Sequence, residues 1–165
     1  MPSERDLTDY TNTRGLVETT DKEVERPLFR KPGLDGEIAS FQEIEERLSA
    51  FVRKRREESG LTRAEFASLY GLSTAVYGRY ERAFSHLTVG RMIHLCELLG
   101  FTPLELIYTA APHLYGATRE EAEDRLKLAQ LIDEVPHSTV KAIIILVEEM
   151  KMMLNAGTGS PGATR

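Results

Sequence analysis

The chain has 165 residues, of which 41% are hydrophobic, and carries a formal net charge of −5. That length supports one domain with a real core plus extensions. The acidic balance at first sight argues against a nucleic-acid partner. No apolar run approaches the roughly 18 residues of a membrane span, and the chain opens without a secretory pattern, so neither a membrane partner nor secretion is expected. The single cysteine, Cys96, has no partner for an intrachain disulfide; between Leu95 and Leu98 it reads as a small core residue in a reducing, cytoplasmic setting.

Residues 1–39 are polar, charged and broken by Pro27, Pro32, Gly33 and Gly36, which predicts a flexible N-terminal arm. Within it, Glu25 to Lys31 carries three cations and two apolar residues, Leu28 and Phe29. A basic arm can lie along DNA; an ordinary linker tacked onto the domain by those apolar residues is the plainer alternative. Ser40 and Glu43 then have capping-box spacing. Ile44, Leu48, Phe51 and Val52 follow on one helical face, in a helix expected to stop at Gly60. Its last turns carry Arg53, Lys54, Arg55 and Arg56, a place where the helix dipole favours cations whatever the function.

Thr62 and Glu65 form a second capping box, with Phe66 and Leu69 as the apolar stripe of a short helix. Gly71 stands where a left-handed residue would close that helix, and Ser73 is a good N-cap for another running to about Arg82. Two short helices across a tight, glycine-containing turn are the helix-turn-helix pattern, whose second helix enters a DNA major groove. The same spacing also suits an ordinary corner between two packed helices. Charge distribution favours DNA: from Phe51 to His94 eight Lys/Arg face four Glu, so that window is +4 and the rest of the chain −9. Thr88 is a plausible cap for an apolar helix through Met92, Leu95 and Leu99 to Gly100. Thr102, Pro103 and Glu105 open a further short helix.

The run Leu61-Thr62, Glu65-Phe66-Ala67, Tyr70-Gly71-Leu72-Ser73 and Arg79-Tyr80-Glu81-Arg82, continued by Leu95, Leu98-Leu99-Gly100-Phe101-Thr102-Pro103 and Leu106, resembles the phage Cro/repressor-type helix-turn-helix family, the xenobiotic-response-element type. The resemblance covers residues 51–107. It implies five helices between residues 40 and 110, with Ala67 packed where two helices cross and Leu72, Tyr77 and Tyr80 facing inward. It also implies a structural ion pair between Arg56 and Glu81, which takes Arg56 and Tyr80 off the list of DNA contacts. Carried over by position, the groove-facing residues would be Ser73, Thr74, Ala75, Gly78 and Arg79, with Arg63 on a phosphate. The chemistry suits those roles: Arg makes bidentate bonds to guanine or phosphate, and Thr and Ala can touch a thymine methyl. The chain departs from the family at Gly78, which offers no side chain, and at Ala83, where the family usually has Gly. Base readout would then lean on Arg79.

After Pro112 and Gly116, Thr118 and Glu121 have capping-box spacing for a helix to about Glu134, which Pro136 ends. Ser138 would cap a last helix through Leu154, with Ile143, Val147, Met150 and Leu154 on a heptad-like row widened by Val140, Ile144 and Ile145. Residues 111–155 are thus read as a helical hairpin whose wide apolar face must be covered, by the helix-turn-helix domain or by a second copy in a two-fold dimer. Residues 156–165 are expected to be a disordered tail.

There is no phosphate loop, no pair of Cys or His at metal spacing and no nucleophile motif, and the four histidines are scattered. No enzyme activity, cofactor or metal is expected. The reading is therefore an all-α protein, a five-helix repressor-like domain plus a C-terminal hairpin, acting as a homodimeric, sequence-specific transcriptional regulator on double-stranded DNA. It would be cytoplasmic and nucleoid-associated when bound, with RNA polymerase or another regulator as a possible protein partner. The alternative is an antitoxin or adaptor that uses the same fold to hold a protein.

Overall fold

The computed structural model describes residues 7–157, so the expected tail beyond Gly157 and the first six residues of the arm lie outside the described residues. Residues up to Leu126 form one compact unit and those from Lys127 a second. The first opens with α1 (Thr8–Arg14) and a two-stranded antiparallel sheet of β1 (Val17–Thr19) and β2 (Leu28–Arg30), with Val17 opposite Arg30 and Thr19 opposite Leu28. Five helices follow: α2 (Phe41–Glu58), α3 (Arg63–Leu69), α4 (Thr74–Tyr80), α5 (Val89–Leu99) and α6 (Pro103–Ala110). A short 3₁₀ turn, Pro112–Leu114, leads to α7 (Arg119–Glu134), which continues into the second unit. The second unit ends with α8 (His137–Gly157).

The protein is mostly helical, as expected, but residues 7–39 are not the structureless arm that their composition predicts. Short polar bonds order them. The Asp21 carboxylate accepts the N–H of Phe41, in the first turn of α2, at 2.8 Å and that of Glu23 at 3.0 Å. Those two N–H groups hold its pKa below the ordinary value. Arg30 donates to the Ala39 carbonyl and stacks its guanidinium 4.8 Å from the Phe41 ring centre. Counting apolar residues does not register bonds of this kind.

Caps set the helix starts. Ser40 with Glu43, Thr62 with Glu65, and Thr102 with Glu105 make complete capping boxes, and Pro103 takes the first position of α6. Thr118 accepts the N–H of Glu121 at 3.2 Å, while the Glu121 carboxylate reaches past it to the N–H of Ala117 at 2.9 Å. Gly116 is required there by close approach, because a Cβ would stand 2.6 Å from the backbone nitrogen of Ala122. The last helix is longer than its apolar row suggested. It starts at His137, with the N–H groups of Thr139 and Val140 on the Pro136 carbonyl, and runs to Gly157.

The core of the first unit gathers Val52 from α2, Phe66, Ala67 and Tyr70 from α3 and its end, Tyr77 from α4, and Leu95, Leu99, Phe101 and Leu106 from α5, α6 and their junction. Phe66 is completely buried, as is Tyr77, with ring centres 4.9 Å apart. Tyr70 stacks on Phe66 at 5.8 Å and donates its hydroxyl to the Arg91 carbonyl at 3.1 Å. Burial pushes the Tyr70 phenol up to about 12. Each buried aromatic removes about 150–250 Å² from water, which makes this cluster the fixed platform on which α3 and α4 sit.

Candidate nucleic-acid interface

The link between α3 and α4 follows from three residues. Tyr70 ends α3, Gly71 takes the left-handed conformation at φ 73°, and the N–H of Leu72 returns to the Ala67 carbonyl at 2.9 Å. Ser73 then caps α4 by accepting the N–H of Val76 at 3.3 Å. Ala67 is buried where the two helices meet. Two short helices are thereby locked by a turn that leaves one face of the second exposed.

A buried ion cluster fixes the far end of α4. Glu81, whose side chain is wholly buried, accepts from Arg56 Nε at 2.5 Å and from Arg63 Nε at 2.8 Å. Arg56 also donates to the Leu61 carbonyl at 2.6 Å. One carboxylate thus ties α2, the start of α3 and the end of α4. Burial alone would push the Glu81 carboxyl up, but the two guanidinium groups outweigh it and hold it below the usual carboxylate range. The Arg56–Glu81 pair implied by the family resemblance is present. The buried Tyr77 hydroxyl lies beside this cluster without a hydrogen bond.

The other cations of the basic window are largely paired. Arg53 bonds Glu57 at 2.9 Å, and Lys54 and Arg55 each stand 3.7 Å from Glu58. The cluster at the end of α2 is therefore a largely neutralised helix surface. Arg91 lies over the Tyr70 ring, and Arg82 donates to the Gly78 carbonyl at 2.9 Å while facing the exposed Phe84 ring at 5.3 Å. Arg79 is exposed, and its guanidinium makes no ion pair or hydrogen bond among the described residues.

Of the six residues expected to meet DNA, four are exposed: Ser73, Thr74 and Ala75 at the start of α4, and Arg79 one turn on. Arg63 lies beside them in part, its side chain 41% exposed and its Nε held by Glu81. Gly78 is a correction. It is buried rather than presented, and a Cβ built on it would rest 3.5 Å from Arg63 Cδ and 3.7 Å from Arg82 Nη2. In this conformation the Cβ direction of Gly78 points toward the Arg63 and Arg82 side chains. Val76, 43% exposed, and Arg82 belong to the same region and were not expected. Arg82 was findable from sequence, since it stands one turn beyond Gly78 and Arg79.

Among the described residues, no group of three or more His, Cys, Asp or Glu is placed to hold a metal ion, and no helix is long and apolar enough to cross a membrane. The arrangement of α3, the Gly71 turn and α4 is that of a helix-turn-helix, a DNA-binding motif. Residues 47–106 match the family model of a helix-turn-helix domain, so this segment is such a domain, consistent with the Cro/repressor type. Two crystal structures of the clp gene regulator ClgR from Corynebacterium glutamicum are similar in part. One is 24% identical over 41% of this chain and 87% of its own, with a TM-score of 0.38; the other is 21% identical over 55% and 90%, with a TM-score of 0.39. No curated protein matches the chain.

Proposed function

We propose that the protein is a sequence-specific transcriptional regulator that places α4 in the DNA major groove as a homodimer. The observation that carries this reading is the exposed part of α4, on which Arg79 is charged and makes no ion pair or hydrogen bond among the described residues, while Arg53, Arg56 and Arg63 are paired with carboxylates. Arg79 reads a guanine edge. Ser73 and Thr74 orient the helix N-terminus on the backbone, Ala75 packs against a thymine methyl, and the Nη groups of Arg63 left free by Glu81 meet a phosphate. Dimerisation is supported by α8, whose Val147, Met150 and Leu154 are exposed at helical spacing. Two half-sites supply the discrimination that one thin reading face lacks.

Selection of binding sites from random duplexes by the full chain, followed by footprinting, tests the reading. Arg79→Ala should cost about 1–3 kcal/mol and relax one base pair of the selected site. Arg63→Ala should weaken all sequences alike and lower the salt slope by about one. An unchanged site and affinity in Arg79→Ala sinks the assignment. The pairing of the α2 cations favours a second reading, a protein-interaction module of the antitoxin or adaptor kind. Binding that is salt-labile and without sequence preference would decide for that one.

A further inference from the structure

Within the first unit a cavity of about 510 Å³ opens between the loop after β2, the first turns of α2, and the end of α6 with its 3₁₀ turn. Its size is that of pockets for small molecules. Four cations line it, Arg30, Lys31, Arg47 and Arg119, against three carboxylates, Asp35, Glu37 and Glu43. Two of those carboxylates have internal work. Glu43 is held by the hydroxyl and N–H of Ser40, and Asp35 accepts the N–H of Glu37 at 3.1 Å.

The cations are held differently. Arg30 is anchored through one Nη on the Ala39 carbonyl, and Arg47 through one Nη on the Ala110 carbonyl at 3.2 Å. A guanidinium has five N–H donors, so one anchoring bond fixes each group and leaves most of its donors for a ligand. The loop that closes the cavity is braced as well, with the N–H of Gly33 on the Glu37 carbonyl at 2.7 Å and that of Gly36 on the Gly33 carbonyl at 3.0 Å. Leu34, Ile38, Ile44 and Pro112 add apolar surface to its lining. His113 reports the field inside: burial, then Lys31, Arg30 and Arg47, lower its pKa, and Asp35 only partly offsets them. An uncharged imidazole in that position supplies a donor or an acceptor without adding a charge.

We infer that this cavity is a binding site for a small organic anion, a carboxylate or phosphate group on a partly apolar body, with Arg30, Arg47 and Arg119 on the anion and the Ile38 and Pro112 surface on the body. Charge and shape both require the pairing of features: inorganic ions leave the apolar lining unused, and neutral molecules leave the fixed guanidinium donors unmet. The site joins the N-terminal segment to α2, the helix that carries Arg56 to the ion cluster of α4. Arg47 lies nine residues before Arg56 on α2, about 14 Å along the axis. Occupancy would thus be felt by the helix that braces the reading face.

Backbone amide spectra of the full chain, titrated at constant ionic strength with salicylate in one arm and phenyl phosphate in the other, test the site. At least one probe should give saturable shifts confined to residues 30–47 and 109–119, with a Kd below about 1 mM. The tighter arm identifies the anion as carboxylate or phosphate. Arg119→Gln removes a pocket cation that makes no hydrogen bond or ion pair among the described residues, and Arg47→Gln removes an anchored one. Each should weaken binding about tenfold or more, as for loss of a charge-assisted pair, while Arg53→Gln should leave it unchanged. Non-saturating shifts up to about 10 mM of both probes, saturable shifts elsewhere, or a Kd untouched by Arg119→Gln would each overturn the assignment. None of these readouts involves DNA, so the result stands apart from the fate of the regulator reading.

Discussion

α4 and α8 use their residues in opposite ways. α4 has seven residues, yet Tyr77 and Gly78 within it are buried, and the residue that ends it, Glu81, holds two arginines. α8 has 21 residues, and none from His137 to Ala156 is buried; Ile144, Ile145, Leu146, Val147, Met150, Met152, Met153 and Leu154 are all exposed. A recognition helix must be held rigidly from behind, because a loosely seated helix cannot keep a guanidinium within hydrogen-bond reach of one base edge. Tyr77 and Gly78 are spent on fixing it, and Thr74, Ala75, Val76 and Arg79 remain exposed. The contrast teaches that the shorter helix spends its buried positions on being held in place, whereas the longer one keeps its apolar side chains exposed.

The largest expected effect breaks the brace of α4. Glu81→Gln removes the buried counter-ion of Arg56, which keeps only the exposed Glu57 carboxylate at 3.3 Å, and should cost about 3–5 kcal/mol in urea denaturation. The pH dependence has a definite sign. The folded-state pKa of Glu81 lies below its ordinary 4.5, so the stabilisation is complete above that value and disappears as pH falls below it through the folded pKa. Wild type should therefore lose stability on acidification below 4.5 more steeply than Glu81→Gln does. Equal slopes would remove the carboxylate from the account.

The next effect is on α8 and leaves α4 alone. Val147→Glu with Met150→Glu places two charges on the exposed apolar row of each copy. If that row is the two-fold interface, association should weaken by about 2 kcal/mol or more, and sedimentation should show a lighter mass class at an unchanged melting temperature. A mass unaffected by the substitutions would rule out this face as the interface.

Gly78→Ala separates packing from recognition within α4 itself. The added methyl meets Arg63 and Arg82 at ordinary contact distances. The helix should gain about 0.5–1 kcal/mol from the better helix former. DNA affinity should not change, because the methyl lies beneath two side chains. A drop in affinity without loss of stability would restore Gly78 to the groove.

How far these features were legible in the sequence depended on range. Capping boxes at Ser40, Thr62 and Thr102 and the turn at Gly71 are set by residues three or four apart, and each was readable and is present. The Arg56–Glu81 pair spans 25 residues and was accessible only through the family resemblance. The burial of Gly78 was not legible, since it depends on how two arginine side chains fold over a helix. Neither was the cavity beside Arg47. Its walls come from segments up to 89 residues apart, one of them in the arm whose composition predicts flexibility. Counting charges gives the net sign of the window but not its pairing: Arg53, Lys54 and Arg55 at the end of α2 stand within 3.7 Å of Glu57 or Glu58 on the same helix.

Ala83 gives the smallest effect. Its φ is 57°, the left-handed region, and it is the only non-glycine residue among those described with a positive φ. The family resemblance puts a glycine there, and the backbone has kept the glycine conformation after the side chain changed. A left-handed alanine costs about 1–2 kcal/mol. Glycine loses part of that gain through its larger unfolded-state entropy, about 0.5–1 kcal/mol, and through the methyl group, which is largely buried here. Ala83→Gly should therefore stabilise by about 0.5 kcal/mol, measurable as a small rise in the urea midpoint at constant m-value. Combined with Gly78→Ala it places each residue type where its backbone wants it, and the two gains should add, because the nearest atoms to a Cβ at Gly78 belong to Arg63 and Arg82 and not to Ala83. A midpoint that falls in Ala83→Gly would mean that the buried methyl outweighs the backbone strain at the end of α4.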